Sequence, residues 1–395
     1  MDCKHFGECG SCREYEEGYD FQLAKKMSLT QEEFSQIYTE KITPFASLES
    51  HYRARAEFRV WHDGDEISYA MNALVPKSTI MIDECPMVAE SIAAVMPKLL
   101  VALKTYEMDR KIFGADFLSA SSGEILVSLL YHRRLDDVWK EKAKTLSEEL
   151  GIHVIGRSRK QKEVLSQDYV TETLHPKSTS SSLTAHVKGR DFHFRHIENS
   201  FTQPNPKVNE AMITWAMDAF DGVCGDLLEL YCGAGNFTIP FATIFHKILA
   251  TEISKSSINA AKVNMQLNEV RNIDFVRLSV EEFVEAMDEK RVFRRMEGLD
   301  LKAYNFNAIF VDPPRSGMDE LSSAFATRFD HIVYISCNPE TLKRDLDFLM
   351  QTHEIKDMAL FDQFPYTHHR EMGVKLVKKG YDAKLLHVKN TERRF

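Results

Sequence analysis

A lone cysteine, Cys337, stands between an apolar run, His331 to Ile335, and the polar pair Asn338-Pro339. The run reads as a short buried strand, and Asn338 with Pro339 reads as the cap and first turn of a helix reaching Met350. A sulfur at that junction faces backbone N–H groups and the positive end of a helix dipole, which favour a thiolate and therefore a nucleophile. The bland alternative is a small buried residue ending a strand. What else collects at strand ends decides between them.

Two more such ends carry acids. Asn307 to Val311 reads as a buried strand and runs into Asp312-Pro313-Pro314-Arg315-Ser316-Gly317, where two prolines stiffen the loop and aim Asp312 into a crevice. Further on, His368, His369 and Glu371 enter a last strand, Val374 to Val377, and offer alternative groups for moving a proton. The strand Asp226 to Tyr231 opens into Cys232-Gly233-Ala234-Gly235-Asn236-Phe237, whose glycine pair lets a ligand approach the backbone. The third glycine of a dinucleotide fingerprint is missing, so this loop alone is weak evidence. Glu252 ends the following strand, Lys247 to Thr251, about 20 residues on, where doubly wound folds place an acid on a ribose diol. Together they favour S-adenosylmethionine over a nicotinamide dinucleotide. Cys232 is a rival nucleophile, but it lies in the cofactor loop.

The elements that must position these residues alternate strand and helix from Asp226 onward, which predicts a parallel α/β sheet. Ahead of it, Tyr52, Ala54, Ala56, Phe58 and Val60 alternate with Arg53, Arg55 and Arg59, a strand with one buried face and one basic face, followed by a turn at Asp63-Gly64. Arg133-Arg134 and Arg157, Arg159, Lys160 and Lys162 follow further strand-like runs; such charge is solvated surface or a grip on phosphates. One or two helices are expected over 18–42, and a loop insertion over 178–182. The expected division is 1–45 as a cysteine-bearing segment, 46–195 as an α+β domain for binding RNA, and 196–395 as the cofactor domain.

Cys3, Cys9 and Cys12, with glycines at 7 and 10, form a C-x5-C-x2-C group, and Cys85 is the only other cysteine of this half. Four thiols suit zinc or a [4Fe–4S] cluster, or stay unligated. Composition bounds the rest. In 395 residues, 44% hydrophobic and 28% charged content describes a soluble globular chain, and seven unevenly spaced cysteines speak for a reducing compartment. The opening Met1-Asp2-Cys3-Lys4-His5 lacks a signal peptide's apolar core, and no run is long enough to span a bilayer, so a cytoplasmic location without membrane contact is expected. The net charge of −9 argues mildly against nucleic acid overall but says nothing of one face.

From about Ser50 to Lys379 the chain resembles the RNA uracil-5-methyltransferases, and within them the tRNA-modifying branch. The resemblance rests on Ser50–Asp65, Asn199–Asn205, Leu228–Phe237, Phe310–Gly317, Tyr334–Thr341 and Phe361–His369. It implies a Rossmann-like S-adenosylmethionine-dependent methyltransferase domain and methylation of C5 of a uridine in the tRNA T-loop (position 54 of the standard tRNA scheme), with the related loop of tmRNA as a further substrate and no obligate protein partner. It implies Cys337 as nucleophile and Glu371 as the base for the C5 proton. Gln203, Tyr231, Asn236, Glu252 and Asp312 fall on cofactor- and base-binding positions, and Arg53, Arg55 and Arg59 would hold the opened RNA loop. The cysteine group departs from the tRNA branch. Relatives acting on 23S ribosomal RNA hold a [4Fe–4S] cluster on four such cysteines, which makes Cys3, Cys9, Cys12 and Cys85 candidate cluster ligands, zinc being the alternative. The extra N-terminal barrel of some of those relatives is not expected here. A 23S rRNA methyltransferase is thus the second enzymatic reading, and an RNA chaperone that only opens the T-loop is the reading from another class.

Overall fold

The structure, a computed structural model, describes residues 1–177, 180 and 190–381. Most of the loop expected over 178–182 lies outside the described residues.

The alternating pattern at 52–60 becomes β2 (Arg55–Asp63), an interior strand of a seven-stranded sheet. Its neighbours are β3 (Glu66–Asn72), β4 (Thr79–Ile82), β5 (Ile112–Ser119), β6 (Ile125–Tyr131), β7 (His153–Ser158) and β8 (Gln161–Val164), in the order β4-β3-β2-β5-β6-β7-β8. The β2–β3 turn sits one residue later than expected. Asp63 pairs with Glu66, and Gly64, at φ +60°, takes the left-handed conformation a two-residue hairpin needs. Ala56, Phe58 and Val60 of β2 face the helices Glu90–Thr105 and Asp137–Leu150 across a shared apolar core. Arg55, Glu57 and Arg59 consequently lie on the other face, because successive side chains alternate. A two-stranded ribbon, β9 (Tyr169–Leu174) with β10 (Phe192–Ile197), packs Val170 against Leu118, Leu126 and Ile155 of that open face.

The second sheet has eight strands. β11 (Asp226–Leu230), β12 (Ile248–Thr251), β13 (Ile273–Val276), β14 (Phe306–Val311) and β15 (His331–Ser336) are mutually parallel, and β17 (Glu371–Lys378) inserts antiparallel between β15 and β16 (His353–Phe361). β1 (Thr43–Phe45) closes the edge, giving β1-β16-β17-β15-β14-β11-β12-β13. Both faces are covered by helices, so β11 and β14 bury apolar side chains on both sides, and each fully buried Leu or Val contributes roughly 1.5–3 kcal/mol. One helix, Gly18–Phe34, accounts for the periodicity over 18–42; it is locked to the second sheet by a buried Lys26–Asp362 ion pair (2.6 Å), to which Gln22 adds a hydrogen bond (2.8 Å). Among the described residues, no helix is long and apolar enough to cross a membrane.

Candidate active site

The carboxyl edge of the parallel strands is where the chemistry-bearing side chains meet. Asn338 caps the helix Pro339–Leu349 by accepting from the Glu340 amide (3.1 Å), which fixes Cys337 as the corner residue after β15. The antiparallel register runs Ile335 opposite Gly373 and Ser336 opposite Met372, so one step further sets Cys337 beside Glu371. Asp312 leaves β14 on the other side of β15, since Val311 pairs with Tyr334. The Asp312–Gly317 loop is fastened to the same helix: Asn338 Nδ2 and Thr341 Oγ1 each donate to the Arg315 carbonyl (3.3 Å). Beneath it, Asp345 accepts from the Met318 amide (2.8 Å) and the Tyr334 hydroxyl (2.7 Å). Gly317, at φ +74°, lies so close that a Cβ there would stand 2.6 Å from Asp345 Oδ2.

Cys337 and Glu371 open into a cavity of about 550 Å³. Its opposite wall comes from the first sheet: Tyr52, Arg53, Arg55, Glu57 and Phe58. Arg315, Phe364, His369 and Arg370 complete it on the second-sheet side, and Ser11 of the cysteine segment contributes an edge. Two of the three predicted arginines therefore face the cysteine. Arg55 is held by donating to the Ser200 carbonyl (2.7 Å) and to Glu57 (2.9 Å), whereas Arg59 lies outside this cavity, donating to Asn72 Oδ1 (3.0 Å) and Thr79 Oγ1 (3.3 Å).

The electrostatics correct one expectation. The helix N-terminus does not give a thiolate in the free chain: burial first, then the Glu371 and Asp312 carboxyls, push the Cys337 thiol up to about 11, and Arg315 only partly opposes them. Burial likewise holds Glu371 well above the carboxylate range, with Asp312 adding to it, and lifts Asp312 to about 7. Glu371 is only 5% exposed. Three acids share one dry corner: Asp312 disfavours ionisation of Glu371, and both carboxyls disfavour ionisation of Cys337. His369 lines the same cavity as a neutral imidazole, its basicity lowered by burial and then by His368 and nearby cations. The strand register puts Glu371, not His369, beside the sulfur.

The glycine loop builds a second crevice at the ends of β11 and β12. Glu252 accepts from the Gly233 amide (3.1 Å) and the Ser254 amide (2.7 Å), which holds its carboxylate across the loop mouth. Tyr231 sits at φ +62°, rare for a bulky residue, and its hydroxyl meets Ser322 Oγ at 3.3 Å. Asn236 exchanges two 2.8 Å hydrogen bonds with Asn209. Gln203 accepts from Gln363 Nε2 (2.7 Å), which ties the segment before the helix Pro206–Ala219 to the loop that leads to Glu371. These residues fit an adenosine-type cofactor: a fixed acid for a diol, backbone amides at a glycine turn, and a continuation toward Asp312. Sequence reasoning missed Glu229, a fully buried acid in β11 whose carboxyl burial holds well above the usual range; its signal was an acid inside an otherwise apolar run. Tyr52, Arg370 and Gln363 were also missed, because no local pattern marks residues that meet only through the tertiary fold.

Cys3, Cys9, Cys12 and Cys85 converge on one small pocket together with Met1, Phe6 and Met87. Yet among the described residues no three His, Cys, Asp or Glu side chains form a metal-ligating group. Burial, the largest cause at each, pushes the Cys12 thiol up to about 12 and the Cys85 thiol up to about 11 in the free chain. The segment is nonetheless part of the site's frame. The Arg13 and Glu14 amides donate to the Tyr366 carbonyl (2.8 and 3.0 Å), and Gly10 donates to the Asn72 carbonyl (2.9 Å), where a Cβ would stand 3.0 Å from two carbonyl oxygens.

The sequence profile of the family described as tRNA (Uracil-5-)-methyltransferase matches residues 18–379. A tRNA/tmRNA (uracil-C(5))-methyltransferase of Sulfurimonas denitrificans is 60% identical over 380 residues, covering 96% of this chain and 100% of that protein. One of Pseudoalteromonas translucida is 49% identical over 367 residues, covering 92% and 97%. Among solved structures, the Pyrococcus abyssi tRNA (uracil-54, C5)-methyltransferase in complex with S-adenosyl-L-homocysteine matches with a TM-score of 0.66 over 91% of this chain and 84% of that one, at 20% identity, a likeness of fold.

Proposed function

The chain belongs to the tRNA (uracil-5-)-methyltransferase family, and we propose that it methylates C5 of a uridine in RNA, the T-loop uridine of tRNA and its counterpart in tmRNA. The observation that carries this reading is the single cavity holding Cys337 and Glu371 side by side under the arginines of the first sheet. Residues 46–195 then hold the RNA, and 196–395 bind the cofactor and do the chemistry. The seven cysteines are all unpaired, which fits a cytoplasmic protein.

Uracil C5 is too weak a carbon nucleophile to be alkylated directly. Cys337 overcomes this by adding its sulfur to C6, which breaks the C5–C6 double bond and places the electron pair on C5 and O4 as an enolate. Because the thiol is protonated in the free chain, its proton leaves as the adduct forms, and the ionised form of Asp312 is within the same corner to receive it, which leaves ionised Glu371 free for the later proton. S-adenosylmethionine, when bound, supplies an electrophilic methyl group to C5. Glu371 then removes the C5 proton, the C5–C6 double bond re-forms, and the Cys337 sulfur is expelled. Glu252 is placed to accept from the ribose hydroxyls, Tyr231 and Asn236 to border the cofactor, and Gln203 and Asp312 to stand where cofactor and base meet. The base reaches the cavity only after leaving its stack, and Arg53 and Arg55 are positioned to take the displaced backbone.

The four N-terminal cysteines form a candidate thiolate site for a [4Fe–4S] cluster or zinc, supported by their convergence on one pocket; no step of the methyl transfer runs through it. Iron, acid-labile sulfide and zinc assayed on protein purified without oxygen test that assignment, and a metal-free fully active enzyme would remove it.

The function itself is tested with labelled S-adenosylmethionine, a tRNA transcript and a 23S rRNA fragment. Methylation of the T-loop uridine alone, lost to below detection in Cys337→Ala, is the expected result. Label confined to the rRNA fragment would overturn the substrate assignment, and activity surviving in Cys337→Ala would overturn the mechanism.

A further inference from the structure

The open face of the first sheet carries a second cationic depression that methyl transfer does not use. It is a groove of about 960 Å³ at the far ends of β5, β6 and β7, with Phe113, His132, Arg133, Arg134, Arg159 and Lys160 in its wall. The register shows how it relates to the catalytic cavity. Arg59 pairs with Gly114, Gly114 with Leu130, and Leu130 with Arg157, a row crossing the sheet from β2 to β7, and Leu130 and Arg157 line the groove. Arg55, in the cavity, lies four residues back along β2, roughly 13 Å at about 3.3 Å per residue. The row between them holds Glu57 opposite Asp116, two acids that separate the depressions.

The charge here runs against that of the whole chain, which is −9. Arg134, Arg159 and Lys160 form no ion pair among the described residues, while Arg157 is taken up by Glu198. Arg133 is held in place, donating to the Arg110 carbonyl (3.0 Å) with its guanidinium 5.3 Å from the Tyr131 ring. The one acid in the wall, Glu163, is paired with Lys140 (3.4 Å). Beside these cations Phe113 stacks on His132 with ring centroids 4.0 Å apart and planes 13° apart, yet Phe113 remains 38% exposed. Unpaired cations next to an exposed aromatic stack are what a nucleic-acid backbone and an adjoining base or ribose require.

We infer that this groove binds the phosphodiester backbone of the substrate RNA outside the arm whose loop is methylated. The inference rests on the RNA-methylation reading above. The groove lies roughly 13 Å along β2 and two to three strands across from Arg55, at about 4.8 Å per strand, together roughly 16–20 Å, so a uridine in the cavity and a phosphate in the groove belong to different parts of one folded RNA.

The test compares Arg134→Glu/Lys160→Glu with the wild-type enzyme on two RNAs, a full-length tRNA transcript and the isolated T-arm hairpin, measuring Kd by fluorescence anisotropy from about 50 to 200 mM salt, and kcat/KM for methylation. For the full-length transcript Kd should rise at least about tenfold at low salt, with the slope of log K against log salt shallower by about two, one per lost phosphate contact. Hairpin binding and hairpin methylation should stay within about twofold, which also shows that the variant is folded. Phe113→Ala should weaken full-length binding about fivefold with the salt slope unchanged. Unchanged binding of both RNAs would overturn the inference. Equal weakening on both would overturn it too, since the groove would then serve the arm itself. A wild-type enzyme inert on both RNAs would instead defeat the proposed function, and this inference with it.

Discussion

The crevice at the ends of β11 and β12 draws Tyr231, Asn236 and Glu252 from one strand–loop–helix–strand unit, whereas the cavity around Cys337 takes its walls from Ser11, from Tyr52 to Phe58, from Arg315 and from Phe364 to Glu371. In the first site the backbone does the positioning: Glu252 is fixed by amides two residues ahead of it and across the glycine loop. In the second, side chains far apart in sequence must be clamped. Asp345 ties the Asp312 loop to the nucleophile's helix, Lys26 and Gln22 hold Asp362, and the Tyr366 carbonyl anchors the cysteine segment. A site that binds a small, constant cofactor can be local and rigid. One that must receive an unstacked base from a large RNA is assembled between two sheets.

The difference predicts where substitutions act. The largest effect should come from Glu371→Gln, which keeps the shape of the cavity but cannot take the C5 proton. Turnover should fall by about 10²–10⁴-fold. Because addition of Cys337 precedes proton loss, the variant should accumulate a covalent RNA–protein species on denaturing gels, one that Cys337→Ala never forms. Full turnover by Glu371→Gln would transfer the base role to His369.

The two regions were unequally legible in the sequence. The crevice could be read because strand, glycine loop and terminal acid follow one another along the chain, although Tyr231, expected to end the strand, is the first residue past it, at φ +62°. Cys337, Asp312 and Glu371 could be located at strand ends, but their company could not. A helix terminus alone favours a thiolate, but burial of the sulfur raises the thiol first, and two buried carboxyls contributed by neighbouring strands add to it. Arg53, Arg55 and Arg59 share one alternation, yet only the first two border the cavity, because the strand carries Arg59 onward along the sheet. The addition of β1 to the second sheet was invisible for the same reason: three residues carry no periodicity, and their partner lies at the far end of the chain.

If long-range clamps build the RNA cavity, cutting one should damage it without touching the crevice. Lys26→Ala leaves Asp362 buried and without its ammonium partner, a loss of about 3–5 kcal/mol. Scanning calorimetry should show a lowered Tm, and adding Asp362→Ala should recover part of it, since the stranded charge is then gone. The KM for S-adenosylmethionine should change little. An unaltered Tm would mean that the helix Gly18–Phe34 is held by its apolar contacts alone.

The shared acid corner makes a pH prediction. With the Cys337 thiol held at about 11, its ionised fraction is about 10⁻⁴ at pH 7 and about 10⁻² at pH 9. Alkylation of Cys337 by iodoacetamide, followed peptide by peptide with mass spectrometry, should therefore accelerate about a hundredfold over that range. It should also be faster in Asp312→Asn, which removes a neighbouring negative charge. Rapid alkylation at pH 7 that levels off below pH 9 would mean that the helix terminus outweighs the carboxyls after all.

The smallest expected effect belongs to the local site. In Glu252→Gln the side chain keeps its length and one carbonyl oxygen, so a single amide, from Gly233 or Ser254, can still be satisfied, and the fold should hold. What is lost is the negative charge that accepts from two hydroxyls of a ribose, and charged acceptors are worth roughly 1.5–3 kcal/mol against about 1 for neutral ones. The KM for S-adenosylmethionine should rise about tenfold with kcat and RNA affinity nearly unchanged, because the residue touches no atom that reacts. A fall in kcat without a change in KM would place Glu252 in the chemistry and erase the division between a crevice that binds and a cavity that transforms.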